Sequence, residues 1–171
     1  MDSILKEWFF YLIMDNVIIR DAFDKDIHLL LGLLYDLGRP KPQKDSDVET
    51  FHKLVTKYVK DSDKTILVAE IDDAKIVGMV SVLFLSRLNQ LTLEMYIPEL
   101  TVLKNYQKQG IGKKLINSCV TLAKERNCHR IRLESGNQRK ESHQFYKHLG
   151  FEQSSISFTL NLKKIKKENR I

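Results

Sequence analysis

The sequence predicts a mixed α/β domain, and three observations carry that reading. Apolar residues recur at three- and four-residue steps up to about residue 60, then the period changes to short strand-like runs over residues 65–71 and 75–85, then helical spacing returns from about residue 110. A glycine-bearing turn joins an apolar strand to the strongest helical pattern in the chain. The 171 residues are 43% hydrophobic, enough for one ordinary globular core.

Taken in order, residues 17–20 form a short β-branched run and read as a first strand. Ile27, Leu30, Leu31 and Leu34 then mark a helix with Asp24 as its N-cap, ended by Gly38, Pro40 and Pro42. A second helix is expected over residues 47–60, with Phe51, Leu54, Val55 and Tyr58 on one face. The polar loop between them, residues 39–46, is expected to line a substrate mouth. Residues 65–71 and 75–85 read as an antiparallel pair turned at Asp72-Asp73. After the polar break at residues 87–90 comes a strand over 91–103, which Pro98 must interrupt with a bulge or an edge, because proline donates no ladder hydrogen bond. A helix over 110–126, a strand over 129–134 and a helix over 139–149 closed by Gly150 follow, with one or two further strands from Phe151 onward. The sum is six to seven strands and about four helices.

The formal charge of +6 favours an acidic ligand, although Lys163, Lys164, Lys166 and Lys167 crowd the C-terminus as a solvated tail. The basic residues form no aromatic-interleaved or groove-reading pattern, so nucleic acid is not an expected partner. No stretch approaches the roughly twenty apolar residues that cross a bilayer. The apolar segment from Trp8 to Met14 has no small-residue cleavage site and reads as an N-terminal extension. Cys119 and Cys128 make neither a disulfide framework nor a zinc pattern, and the histidines show no metal spacing. A cytoplasmic location, with reduced thiols, is the expectation. The organisation expected is an extension over 1–14, one domain over 15–162 and a basic tail over 163–171.

Gln107-Lys108-Gln109-Gly110-Ile111-Gly112 occupies the turn from strand to helix. Free backbone N–H groups and the helix dipole make such a turn a seat for an anion, and two glycines let the backbone approach it closely. Lys108, Lys113 and Lys114 add positive charge. The turn is no Walker A loop, since Lys114 follows Gly112-Lys113 where serine or threonine would stand. Nor is it a dinucleotide fingerprint, whose third glycine would fall at Leu115.

The whole run from Glu99 to Leu115 resembles the signature of the GNAT acetyltransferase superfamily, an apolar strand entering a Gln/Arg-x-x-Gly-x-Gly/Ala loop. A second block of the family follows at the expected distance: Glu134-Ser135-Gly136-Asn137-Gln138-Arg139, then Ser142-His143-Gln144-Phe145-Tyr146-Lys147-His148-Leu149-Gly150-Phe151. The resemblance spans about residues 17–160. It implies the GNAT fold, a mostly antiparallel mixed sheet whose central strands splay around acetyl-CoA as co-substrate. It implies that Gln107, Lys108, Gln109, Gly110, Ile111, Gly112 and Lys113 surround the pyrophosphate. Leu100, Thr101 and Val102 would line the pantetheine and acetyl group through their backbone. Asn137 would bond the pantetheine or cap the next helix, and Tyr146 would sit at the sulfur as general acid.

An amine must lose a proton to attack, so a carboxylate base is sought on the fourth strand. Glu99 and Glu94 are the two choices, with Glu99 at the family's common acidic position. For His143 a polar or packing role is expected rather than catalysis. The acceptor implied is a primary amine of a small molecule, attacked directly in a ternary complex; a peptide or protein amine, or a non-catalytic acetyl-CoA-binding module, are the alternatives. Homodimers are common among the relatives so implied.

Overall fold

The computed structural model describes residues 16–72 and 74–162. The expected N-terminal extension and the basic tail lie outside these residues. The chain divides into two compact units, one ending at Leu133 and the other beginning at Glu134.

The first unit holds five strands, β1 (Ile18–Asp21), β2 (Lys64–Ile71), β3 (Lys75–Leu85), β4 (Leu93–Val102) and β5 (Cys128–Leu133). Among the described residues its α-helices are α1 (Ile27–Asp36), α2 (Asp45–Val59) and α3 (Ile111–Glu125). The strands lie in one sheet in chain order. β1 to β4 are antiparallel neighbours, and β4 and β5 run parallel. A parallel pair cannot be closed by a tight turn, and α3 is the crossover that joins it.

Side-chain alternation sorts the helices onto two faces. On one face Met79, Ile66 and Val68 pack with Leu30 and Leu33 of α1, and against Val55, Tyr58 and Val59 of α2. On the other face Gly78 lies under α3: a Cβ there would stand 3.0 Å from the Thr101 carbonyl and 3.4 Å from Leu115. Glycine at 78 lets α3 settle on the sheet, where Leu115, Ile116 and Cys119 are buried. A buried network ties the first helix down. Arg20 Nε donates to Glu70 (2.8 Å), its Nη1 donates to Asp26 (2.7 Å), and Asp26 accepts the Phe23 N–H (2.8 Å). Asp24 is therefore not the cap that the sequence suggests; a 3-10 turn spans Asp24–Asp26, and the carboxylate that holds its start belongs to Asp26.

Pro98 disturbs β4 as expected. The β3–β4 register steps from Ser81↔Glu99 to Leu83↔Tyr96, so β4 spends one more residue than β3 across this interval. Parallel pairing with β5 stops at Ile97↔Leu133, and residues 98–102 have no strand on that side among the described residues.

The second unit contains α4 (Lys140–His148), ended by Gly150 at φ +87°. The further strands expected from Phe151 do not form among the described residues. Residues 152–162 are exposed instead, including Ile156, Phe158, Leu160 and Leu162. The sheet thus has five strands rather than six to seven, in the α/β class that the sequence predicts.

Candidate active site

Two left-handed residues shape the turn after β4. Lys108 takes φ +60° and Gly110 φ +80°, and Gly110 is the N-cap of α3. No side chain caps this helix start. The first intrahelical bond is Lys114 N–H to Gly110 O (3.0 Å), which leaves the donors of Ile111, Gly112 and Lys113 without intrahelical acceptors. Three outward donors at the positive end of a fifteen-residue helix fit the oxygens of a pyrophosphate. Gln107 turns the other way, donating its amide to Val102 O (2.9 Å), and Gln109 donates to Asn105 O (3.0 Å). Both side chains brace the turn, and the backbone is left as its anion-facing surface.

The open side of β4 follows from hydrogen-bond direction. Glu99 N–H donates to Ser81 Oγ (3.1 Å) and Leu103 N–H to Val77 O (2.8 Å), both on β3. Donors alternate sides along a strand, so Thr101 N–H also turns toward β3 while those of Leu100 and Val102 point to the side without a strand. Leu100 and Val102 thus present peptide donors on that open side.

Glu99 sits beside the bulge, with its side chain on the face that α1 and α2 cover over β2 and β3. Ser81 Oγ donates to one carboxylate oxygen, and Arg39 Nη2 donates to the other at 2.5 Å. Arg39 comes from the polar loop between α1 and α2, which brings that loop to the fourth strand. Tyr58 Oη donates to Val82 O (3.0 Å), and burial pushes its phenol well above the ordinary range, while its bond with Ser81 acts in the opposite sense.

Glu94, five residues earlier, is fully buried. Arg87 Nη2 (3.0 Å), Arg130 Nε (2.6 Å) and Arg132 Nε (2.9 Å) all donate to its carboxylate. Burial alone would raise this carboxyl, but hydrogen bonds from Arg132, Arg87 and Arg130 win and hold it down to about 2.

In the second unit, Tyr146 on α4 packs edge-on against Phe145 and Phe151, with centroids 5.2 and 5.6 Å away. Burial pushes its phenol up, and the charge of Arg139 opposes the rise. His143 reaches back to Gly136 O through Nε2 (3.0 Å), a polar structural contact as expected. Asn137 does not cap α4: the N-cap is Arg139, without a side-chain bond, and Asn137 lies in the turn before it.

Ser81, Arg39, Arg130 and Arg132 were not singled out as site residues by the sequence. Ser81 carried a signal, as the one hydroxyl within the apolar run of β3. The arginines did too, alternating with Ile131 along β5. Among the described residues no group of three or more His, Cys, Asp or Glu side chains could hold a metal ion, and no helix is long and apolar enough to cross a membrane.

The acetyltransferase (GNAT) family model matches residues 31–151, more than half of the chain. Among solved structures, the chain is similar to a transcriptional regulator from Bacillus halodurans C-125, at 29% identity and TM-score 0.77, over 85% of this chain and 99% of that one. An aminoglycoside acetyltransferase from an uncultured soil metagenomic sample shares the fold at 21% identity and TM-score 0.73, over 86% and 97%. A ribosomal-protein-alanine N-acetyltransferase from Brucella melitensis biovar Abortus 2308 does so at 18% identity and TM-score 0.71, over 85% and 99%. With the turn into α3, the bulged fourth strand and its open side already in place, the match over residues 31–151 makes this chain a member of the GNAT family of acetyltransferases.

Proposed function

We propose that the chain transfers the acetyl group of acetyl-CoA to a primary amine of a small molecule, by direct attack in a ternary complex. The observation that carries this reading is Glu99 at the β4 bulge, fixed by Ser81 and met by Arg39 from the loop between α1 and α2. Bound acetyl-CoA supplies an acyl group already activated as a thioester. The backbone of residues 107–113 holds its pyrophosphate, and the Leu100 and Val102 donors engage the pantetheine arm and the acetyl carbonyl, where negative charge develops. Asn137 adds a bond to the pantetheine.

Glu99 accepts the proton of the incoming amine, directly or through water. Glu94 is the poorer base, because a carboxyl held near 2 by three guanidiniums has little affinity for a proton at neutral pH. Tyr146 gives its proton to the departing thiolate, and burial keeps that phenol protonated until it is needed. The transferase domain spans residues 15–162, a reading that the family match over residues 31–151 supports. Cys119 is a free, buried thiol pushed up to about 12, so it stays unreactive, and a cytoplasmic setting suits both free thiols.

The test is release of free CoA against a panel of amines, small molecules and peptides together. Glu99→Gln should lower kcat/KM at neutral pH by ten- to a hundredfold, about 1.4–2.7 kcal/mol, with partial rescue at higher pH where solvent delivers the free amine. Tyr146→Phe should cut kcat while leaving the KM for acetyl-CoA nearly unchanged. Peptide amines turning over in preference to every small amine would reassign the acceptor. Unchanged rates in both variants would remove these residues from the chemistry.

A further inference from the structure

Glu94 neutralises one positive charge, yet three guanidiniums converge on it. Their side chains are 47%, 54% and 34% exposed for Arg87, Arg130 and Arg132, whereas that of Glu94 is wholly buried. Each guanidinium carries five N–H donors. Arg87 meets Glu94 through Nη2 alone, and Arg130 through Nε and Nη2, so both retain donors on an exposed surface. The Arg132 guanidinium lies over the Tyr96 ring at 4.6 Å, which fixes the plane of its fork.

The cluster also shares a sheet face with Glu99. On β3, positions 81, 83 and 85 point to one face, and their partners are Glu99, Tyr96 and Glu94. Glu94 and Tyr96 pair in turn with Arg130 and Arg132 on β5. The extra residue at the bulge keeps Tyr96 and Glu99 on the same side although they are three apart. The result is a polar stripe across β4 and β5, on the face whose β2 and β3 part is covered by α1 and α2. At about 3.3 Å per residue, the guanidiniums lie on the order of 10–15 Å from the Glu99 carboxylate.

We propose that Arg87 and Arg130, held in place by the buried Glu94, bind an anionic oxygen group of the acceptor, a carboxylate or a phosphate, on the order of 10 Å from the amine presented to Glu99. This deepens the function proposed above and rests on it. Glu94 is a positioning residue that holds the Arg87 and Arg130 guanidiniums beside one another, and planar bidentate recognition is the task for which guanidinium suits such oxygens. The acceptor is then a zwitterionic or amino-phosphate compound longer than a single amino acid, and a plain polyamine fits poorly.

Triglycine and triglycinamide share the same amine and differ in the terminal carboxylate, and an extended tripeptide spans about 10 Å. Glucosamine 6-phosphate and glucosamine make the corresponding phosphate pair. The wild-type protein should prefer the charged member of at least one pair by about tenfold or more in kcat/KM, and in calorimetric Kd with CoA present. The pair that shows the preference tells carboxylate from phosphate. Arg87→Gln and Arg130→Gln, each leaving Glu94 two guanidiniums, should bring that ratio to within about threefold of one. Equal handling of charged and uncharged members by the wild-type protein overturns the inference, as does a preference that both variants retain. Binding of acetyl-CoA alone, measured in the same calorimeter, separates the two readings: its absence would sink the transferase, and its presence with no charge preference would sink only the anion subsite.

Discussion

Removing a carboxylate that three arginines surround leaves their charges facing one another. Glu94→Gln should therefore destabilise the protein by about 2–4 kcal/mol, as breaking a buried ion pair does. The pH dependence has a definite sign. The folded-state carboxyl is lowered from the ordinary 4.5 to about 2, so its contribution is present in full above the ordinary value and is lost as pH falls toward 2. Denaturant unfolding of the wild-type protein between pH 6 and 2.5 should show a loss of up to about 3 kcal/mol from this group, and the Gln variant should lack that part of the slope. Matching slopes would mean that the cluster is not formed in solution. The same chemistry separates two glutamates that the sequence left as the two choices, Glu99 slightly favoured by its position. Its pattern placed both on the fourth strand, but the three arginines reach Glu94 from a loop and from a strand more than thirty residues away. Ser81 meets Glu99 across eighteen residues, and Arg39 meets it across sixty. Contacts of that range leave no periodic trace.

At the scale of elements, the α3 turn is the part most open to a single substitution. Gly110 holds φ +80°, which an L residue with a Cβ adopts at a cost of about 1–2 kcal/mol, aspartate less than most. Gly110→Asp also sets a negative charge at a helix start whose free donors are offered to an anion. The variant should lose acetyl-CoA affinity by more than a hundredfold while its far-ultraviolet circular dichroism stays that of the wild type. Equal affinity in the two proteins, by calorimetry, would reduce the loop to a structural turn. Elements with strong local signals were legible from the sequence: β3 runs over Lys75–Leu85 as its apolar run indicates, and α3 departs from its expected span by one residue at each end. The strand expected after Phe151 does not form among the described residues. Its alternating Ile156, Phe158, Leu160 and Leu162 satisfy the period of a strand, but a strand also needs a neighbour, and period alone does not supply one.

For the molecule as a whole, the family was legible because its signature is local. A strand, a turn and a helix start fall within seventeen consecutive residues, and the second block lies within another eighteen. What had no local signature was the proposed acceptor side, to which Arg39, Tyr58, Ser81 and the three arginines come from separate loops, a helix and strands. The central claim is that this fold binds acetyl-CoA in its native state and uses it. A ligand that binds only the folded protein raises stability by RT ln(1 + [L]/Kd), about 2.7 kcal/mol at a hundred times Kd. For a chain of this size that amounts to several degrees in Tm. The most direct measurement is therefore thermal unfolding of the wild-type protein with increasing acetyl-CoA. A Tm that climbs by several degrees and continues to rise with concentration is the expected result, and a folded protein whose Tm does not move at millimolar acetyl-CoA would contradict the account.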